Sequence, residues 1–102
     1  MIAKLHLITQ DNLQKSHEEQ AMDFLKGGGK WVQFRTKTLS EQDTIDQALA
    51  IQKLTKKYNA QVILNDKWEL AHELKLDGVH VGLTDTPINE IRSKVSPDFI
   101  IG

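Results

Sequence analysis

Short apolar runs alternate along the chain with longer stretches whose apolar residues recur at helical spacing. The short runs predict strands and the longer stretches predict amphipathic helices. The predicted strands are 5–9, 31–37, 61–65, 78–82 and 98–102, and the predicted helices are 13–26, 41–58, 68–76 and 87–95. Strict alternation of strand and helix favours right-handed βαβ crossovers and therefore a parallel sheet. No linker or change of composition interrupts the pattern, so we expect residues 1–102 to form a single α/β domain.

Capping residues and helix breakers support these bounds. Asp11 or Asn12 is predicted to cap the first helix, and the glycine run 27–29 to end it, because glycine accepts the left-handed conformation that commonly follows a helix. Ser40 is predicted to cap the second helix. Thr86 stands directly before a proline, a pairing typical of a helix start.

Composition narrows the classes of function. The 102 residues include 13 basic and 14 acidic side chains, a formal net charge of -1. Nonspecific binding of nucleic acid needs an excess of positive charge, which this composition does not provide. The absence of cysteine excludes disulfides and thiolate metal sites. No apolar run reaches the roughly 20 residues that span a bilayer, and the amino terminus has no signal-peptide pattern. We expect a cytoplasmic protein that binds neither nucleic acid nor a membrane.

One predicted strand carries polar groups on a single face. Side chains alternate along a strand, so Gln33, Arg35 and Lys37 share one face of 31–37, whereas Val32 and Phe34 point to the other. Burying an amide and two cations without partners would cost several kcal/mol, roughly 1–3 for each neutral group and more for a charge. We therefore expect an anionic group to meet this face.

Further polar residues follow the neighbouring strands. Parallel α/β folds bind ligands at the carboxyl ends of their strands, where Arg35, Lys37, Asn65, Asp66 and Asp85 would all lie. Cations beside carboxylates suit a phosphate or diphosphate bridged by Mg²⁺. Three alternatives stay open: the cations could pair with the two aspartates, Asn65 and Asp66 could cap the next helix, or residues 84–87, which include Asp85, could be only a turn and a cap.

Other polar and aromatic positions have plainer interpretations. His80, between two valines on a predicted strand, is more often a hydrogen-bonded interior histidine than a catalyst. The glycine run 27–29 precedes a strand rather than a helix, so it is a helix stop and not a phosphate loop. Trp31 and Trp68 are interpreted as packing residues.

Three ordered segments then carry a family resemblance. Residues 28–37 (GGKWVQFRTK), 62–66 (VILND) and 77–87 (DGVHVGLTDTP) resemble the thiamine-phosphate synthase family, and the match runs from 7–9 to 100–102. The resemblance implies a (β/α)₈ TIM barrel, of which this chain would supply about the first five strands and four helices. It also implies that a hydroxymethylpyrimidine diphosphate is joined to a thiazole phosphate with release of pyrophosphate.

The resemblance assigns roles to the polar residues already noted. It implies that the pyrimidine diphosphate is bound by Gln33, Phe34, Arg35, Thr36, Lys37 and Asn65, and that Mg²⁺ is bound by Asp66 and Asp85. Because pyrophosphate leaves and the thiazole nitrogen captures the pyrimidine methylene, no protein nucleophile is required and no catalytic residue is assigned. The chain departs from the family at Leu83, usually glutamine, at Phe34, usually leucine, and at Gln10, often aspartate.

The length of the chain shapes the remaining expectations. Barrels of this kind run to about 250 residues, and the family's later motifs have no counterpart here. We therefore expect a truncated chain without synthase activity of its own, whose first and fifth strands form open edges that invite self-association. The alternatives are a non-catalytic half-barrel that binds a phosphate ligand, and a thiazole tautomerase-like protein. Tautomerase-like relatives tend to lose the Arg/Lys and Asn-Asp motifs present here.

Overall fold

A parallel sheet with its strands in chain order organises the fold. The computed structural model describes residues 6–11, 14–81, 88–95 and 97–101. Its elements are β1 (Leu7–Ile8), α1 (His17–Lys26), β2 (Trp31–Phe34), α2 (Glu41–Lys57), β3 (Gln61–Asn65), α3 (Trp68–Glu73), β4 (Gly78–His80), α4 (Ile88–Lys94) and β5 (Ile100–Ile101). The five strands pair in the order β1-β2-β3-β4-β5, and every pair is parallel. The predicted alternation of strands and helices is confirmed.

The core lies between one face of the sheet and the helices. Alternate strand residues are almost completely buried in it, namely Val32, Phe34, Val62, Leu64 and Val79. Helix residues pack against them, among them Ala21, Leu25, Ala48, Ile51, Ala71 and Ile91. Each large aliphatic side chain buried in this way contributes about 1.5–3 kcal/mol. Because side chains alternate, the opposite face of the sheet carries the other set, including Ile8, Gln33 and Asn65.

The start of α1 differs from the prediction. The helix begins at His17, four residues later than predicted, because Ser16 and Glu19 form a reciprocal capping box. The Ser16 hydroxyl accepts from the Glu19 N–H, and the Glu19 carboxylate accepts from the Ser16 N–H. The prediction that Asp11 caps this helix is wrong, and Asn12 lies outside the described residues.

The end of β2 also differs from the prediction. The strand stops at Phe34, so Arg35 and Lys37 belong to the loop that follows it rather than to the strand. α3 likewise ends before the predicted residue 76, and Lys75 adopts the left-handed backbone conformation, with φ 59°. Such a conformation ends a helix.

Several local predictions are confirmed. Ser40 caps α2 by accepting from the Asp43 N–H, and β3 has the predicted bounds. Gly27 ends α1, and Gly28 has a positive φ of 98°. Trp31 is buried, and Trp68 packs half-buried against the core. The predicted cap at Thr86 lies outside the described residues.

His80 does not have the interior position that the sequence predicted. It ends β4 on the face away from the helices, in register with Asn65, and its side chain is exposed. Alternation along β4 therefore does not by itself bury the ring. Among the described residues, no helix is both long and apolar enough to cross a membrane.

Candidate functional site

Two exposed cations face a hollow at the carboxyl ends of β1 and β2. The hollow has a volume of about 440 Å³ and is lined by Ile8, Thr9, Gln10, Asp11, Arg35 and Lys37. Neither Arg35 nor Lys37 forms an ion pair with a carboxylate of the described residues. The alternative in which they pair with Asp66 is therefore not observed, and its Asp85 half lies outside the described residues. Both cations are placed to meet an anion that enters the hollow.

Asp11 holds the loop that carries these cations, residues 35–38. Its Oδ2 accepts hydrogen bonds from the backbone N–H groups of Lys37 and Thr38, at 2.7 and 3.2 Å. Its Oδ1 accepts from the Thr36 hydroxyl at 2.7 Å and from His17 Nε2 at 2.8 Å. One carboxylate thus fixes three consecutive residues of loop 35–38.

These hydrogen bonds also affect the pKa of Asp11. Desolvation by burial raises the pKa of its carboxyl group, but the hydrogen bonds from the Lys37 N–H, the Thr36 hydroxyl, the His17 ring and the Thr38 N–H lower it more. The net effect holds the pKa of Asp11 well below its usual range. The group is ionised at neutral pH, which strengthens each bond that it accepts.

A second anchor of loop 35–38 lies beneath the hollow. Thr9 is fully buried, and its Oγ1 accepts from the Arg35 N–H at 3.2 Å and lies 2.7 Å from His17 Nδ1. The His17 ring is 4% exposed and packs on Phe34, with 4.8 Å between ring centroids. Phe34 is itself fully buried. Its side chain therefore supports the loop from the core and does not line the hollow.

Two amides connect the neighbouring strands on the face away from the helices. Gln33 Nε2 donates to Asn65 Oδ1 at 2.9 Å. Gln33 is the third residue of β2, and Asn65 is the last residue of β3. Both predicted ligand-binding amides therefore lie close together.

Asp66 follows β3 at the same edge of the sheet but lines a different hollow. That hollow, of about 500 Å³, is formed with Glu41 and residues of α3 and its amino-terminal flank. Asp66 is exposed and has a φ of 72°, in the left-handed region that aspartate tolerates better than most residues. Its N–H donates to the His80 carbonyl at 2.7 Å. Lys67 occupies the amino-terminal cap position of α3 without a side-chain cap, so the interpretation of Asn65 and Asp66 as helix caps is not supported.

Comparison with known proteins identifies the family. A sequence profile described as thiamine monophosphate synthase matches residues 5–102. The chain belongs to this family. It is 42% identical over 98 residues to the thiamine-phosphate synthase of Bacteroides fragilis, covering 96% of this chain and 48% of that protein. It is 38% identical over 101 residues to the thiamine-phosphate synthase of Clostridium novyi, covering 97% and 50% respectively.

A solved structure extends the comparison to the fold. The thiamine phosphate pyrophosphorylase of Pyrococcus furiosus superposes with a TM-score of 0.86 and 29% identity, covering 97% of this chain and 48% of that one. The predicted family and the α/β fold of TIM-barrel type are confirmed, with five strands and four helices in the part of the chain that the structure describes. The chain spans about half the length of the curated relatives it matches.

The carboxylates near the carboxyl ends of the strands are the candidate ligands for the Mg²⁺ that the family resemblance implies. The described residues contain no group of three or more acidic, histidine or cysteine side chains that could bind a metal ion. Both oxygens of Asp11 already accept hydrogen bonds, and Asp85 lies outside the described residues. Asp66 is an exposed carboxylate that has an interaction of its own. Mg²⁺ commonly takes one or two protein carboxylates together with phosphate oxygens and water, so this donor set fits an ion that arrives with a diphosphate.

Three residues of the site were not predicted from the sequence, namely Thr9, Asp11 and His17, which hold loop 35–38. Thr9 and Asp11 directly follow β1, so the rule that selected the carboxyl ends of the other strands would have selected them as well. Nothing in the sequence marked His17, because its role depends on how α1 packs beside β1.

Proposed function

We propose that this chain forms the pyrimidine-diphosphate side of a thiamine-phosphate synthase, a transferase that joins hydroxymethylpyrimidine diphosphate to thiazole phosphate. The observation that supports it best is the pair of exposed cations on loop 35–38, held in place by Asp11 and Thr9 beside an open hollow. Family membership supports the same substrate class. In this proposal the protein acts in the cytoplasm, with small molecules rather than nucleic acid as its ligands.

The proposal gives each predicted residue a role. Arg35 binds the diphosphate through its forked guanidinium, and Lys37 acts as a compact charge. Gln33 and Asn65 present amides to the pyrimidine diphosphate. Thr36 acts through its hydrogen bond to Asp11. Phe34 contributes from the core, and Mg²⁺ is bound by Asp66 together with Asp85.

The reaction itself follows from charge stabilisation. The bond between the pyrimidine methylene carbon and the diphosphate oxygen breaks, pyrophosphate leaves with the electron pair, and the thiazole nitrogen lone pair forms the new carbon–nitrogen bond. Arg35 and Lys37 stabilise the leaving group more strongly as its negative charge develops, which lowers the barrier. A bound Mg²⁺ would neutralise part of the same charge. No proton transfer by a protein side chain is required.

A second candidate function follows from the extent of the chain. The described residues contain five strands, and the chain spans about half of the relatives' length, so the polypeptide on its own would bind a phosphate ligand without turning it over. β1 and β5 each have one neighbour in the described sheet. Self-association through these edges is part of this candidate. Light scattering of the purified chain would measure it, and a strictly monomeric mass would contradict it.

Titration calorimetry of the 102-residue chain with pyrophosphate, with and without Mg²⁺, tests the binding proposal. Arg35→Ala should weaken binding by about tenfold or more, because a charged hydrogen bond is worth about 1.5–3 kcal/mol. Asp66→Ala should remove the dependence on Mg²⁺. Lys53→Ala, an exposed cation in α2, and Asp98→Ala, an exposed carboxylate before β5, are the matched controls. Equal affinities for Arg35→Ala and Lys53→Ala would contradict the proposal.

A product assay with both substrates tests the second candidate. We expect no thiamine phosphate from the 102-residue chain alone. Turnover by this polypeptide would show that the described residues and their immediate neighbours are sufficient for catalysis, and it would exclude the purely binding candidate.

A further inference from the structure

A buried histidine connects the two anchors of loop 35–38. His17 Nδ1 lies 2.7 Å from Thr9 Oγ1, and His17 Nε2 lies 2.8 Å from Asp11 Oδ1. Thr9 accepts from the Arg35 N–H, and Asp11 accepts from the Lys37 N–H. The imidazole itself touches neither cation, but both of its nitrogens contact groups that hold the backbone of one.

The donors and acceptors around His17 are compatible with one another. The ionised Asp11 can only accept, so Nε2 carries the proton and donates to Oδ1. His17 Nδ1 pairs with the Thr9 hydroxyl, and Thr9 Oγ1 also accepts from the Arg35 N–H. Every donor in the network has an acceptor. Among the described residues, no buried side-chain nitrogen or oxygen lacks a hydrogen-bond partner.

We propose that His17 is a positioning residue, which sets Thr9 and Asp11 so that loop 35–38 presents Arg35 and Lys37 to the diphosphate. The choice of a diphosphate as the ligand rests on the proposed function. The hydrogen bonds of the network do not depend on which ligand binds. Both nitrogens are paired in a nearly water-free position, so an apolar ring in place of His17 would remove one partner from Thr9 and one from Asp11.

Two substitutions separate hydrogen bonding from packing. His17→Phe keeps an aromatic ring against Phe34 and removes both hydrogen bonds. Thr9→Val keeps the volume of the side chain and removes its hydroxyl, whereas Thr9→Ser restores the hydroxyl. Thr55→Val is the matched control, because Thr55 is an equally buried threonine whose hydroxyl donates within α2, to the Gln52 carbonyl.

Hydrogen exchange of the loop amides is the first measurement. His17→Phe should speed exchange of the Arg35 and Lys37 amides by about tenfold or more, because neither amide bonds to His17 and the effect must pass through Thr9 and Asp11. Thr55→Val should leave both rates at the wild-type value. Unchanged rates in His17→Phe would overturn the inference, whatever happens in Thr9→Val or to binding.

Affinity for pyrophosphate in the presence of Mg²⁺ is the second measurement, made under conditions in which every variant is folded. His17→Phe and Thr9→Val should bind about fivefold more weakly or worse, because misplaced binding groups lose affinity, while Thr9→Ser should stay within about twofold of wild type. Faster exchange with unchanged affinity would overturn the inference.

The inference about His17 and the proposed function are contradicted by different results. If wild type binds, Arg35→Ala binds at least about tenfold more weakly, and His17→Phe binds like wild type, the inference alone is overturned. If wild type does not bind pyrophosphate with Mg²⁺, the proposed function is overturned, and the diphosphate assignment of His17 with it.

Discussion

Replacing Asp11 by asparagine tests how loop 35–38 is held. The two carboxylate oxygens accept four hydrogen bonds, two each. Asparagine has one carbonyl oxygen, so its amide nitrogen would face two donors that it cannot accept from. Each hydrogen bond to a charged group is worth about 1.5–3 kcal/mol, and partial access of water to the loop reduces the loss. We expect Asp11→Asn to lower the free energy of unfolding by about 2–4 kcal/mol at pH 7.

The dependence of this loss on pH identifies the ionised carboxylate as its source. The pKa of Asp11 is lowered in the folded state, so its stabilisation is complete above the ordinary carboxyl value of about 3.9 and is lost as pH falls toward the folded-state value. The difference between wild type and Asp11→Asn should therefore be constant from about pH 7 to 5 and shrink below about pH 4. Urea unfolding followed by circular dichroism at each pH measures it.

Asp23→Asn is the control with the same chemical change. Asp23 pairs with the Lys15 ammonium, and this contact lowers the pKa of Asp23, but the two side chains are 55% and 58% exposed. Solvent screens such a pair, so its loss should affect stability much less. The reasoning about Asp11 would be refuted by an Asp11→Asn effect no larger than that of Asp23→Asn, or by a difference that stays constant down to pH 3.

Three further predictions concern the sheet and its edge. Gly78→Ala should lower the free energy of unfolding by about 1–3 kcal/mol, because the added Cβ would lie 2.2 Å from a carbonyl oxygen of β5. Gly27→Ala, with its nearest atom at 3.5 Å, should be neutral or slightly stabilising, and equal melting temperatures for the two variants would contradict the close approach. A double-mutant cycle of Gln33→Ala and Asn65→Ala should give a coupling energy of about 0.5–1.5 kcal/mol in urea unfolding, and zero coupling would argue against their hydrogen bond. Asp66→Gly should raise the urea midpoint relative to Asp66→Ala by relieving about 1 kcal/mol of left-handed backbone strain, and identical midpoints would contradict that strain.

The sequence by itself determined the order of elements, the parallel sheet and the family. These properties depend on local patterns: apolar spacing separates strand from helix, and Ser40 and the glycine run 27–29 mark ends through groups within a few residues. The cations of loop 35–38, the amide of Asn65 and the carboxylate of Asp66 were also predictable, because parallel strands bring their carboxyl ends to one edge.

Only the tertiary structure decided how the site is held together. Asp11 bonds to Thr36 and Lys37 across 25 and 26 residues of sequence, and His17 meets Thr9 only because α1 packs beside β1. Such contacts depend on where two distant segments meet, which no local period encodes. The same limit applies to His80, whose exposure at the end of β4 does not follow from alternation along the strand. Residue types and spacing therefore specified which groups reach the edge of the sheet, while long-range hydrogen bonds and packing specified which of them hold the others in place.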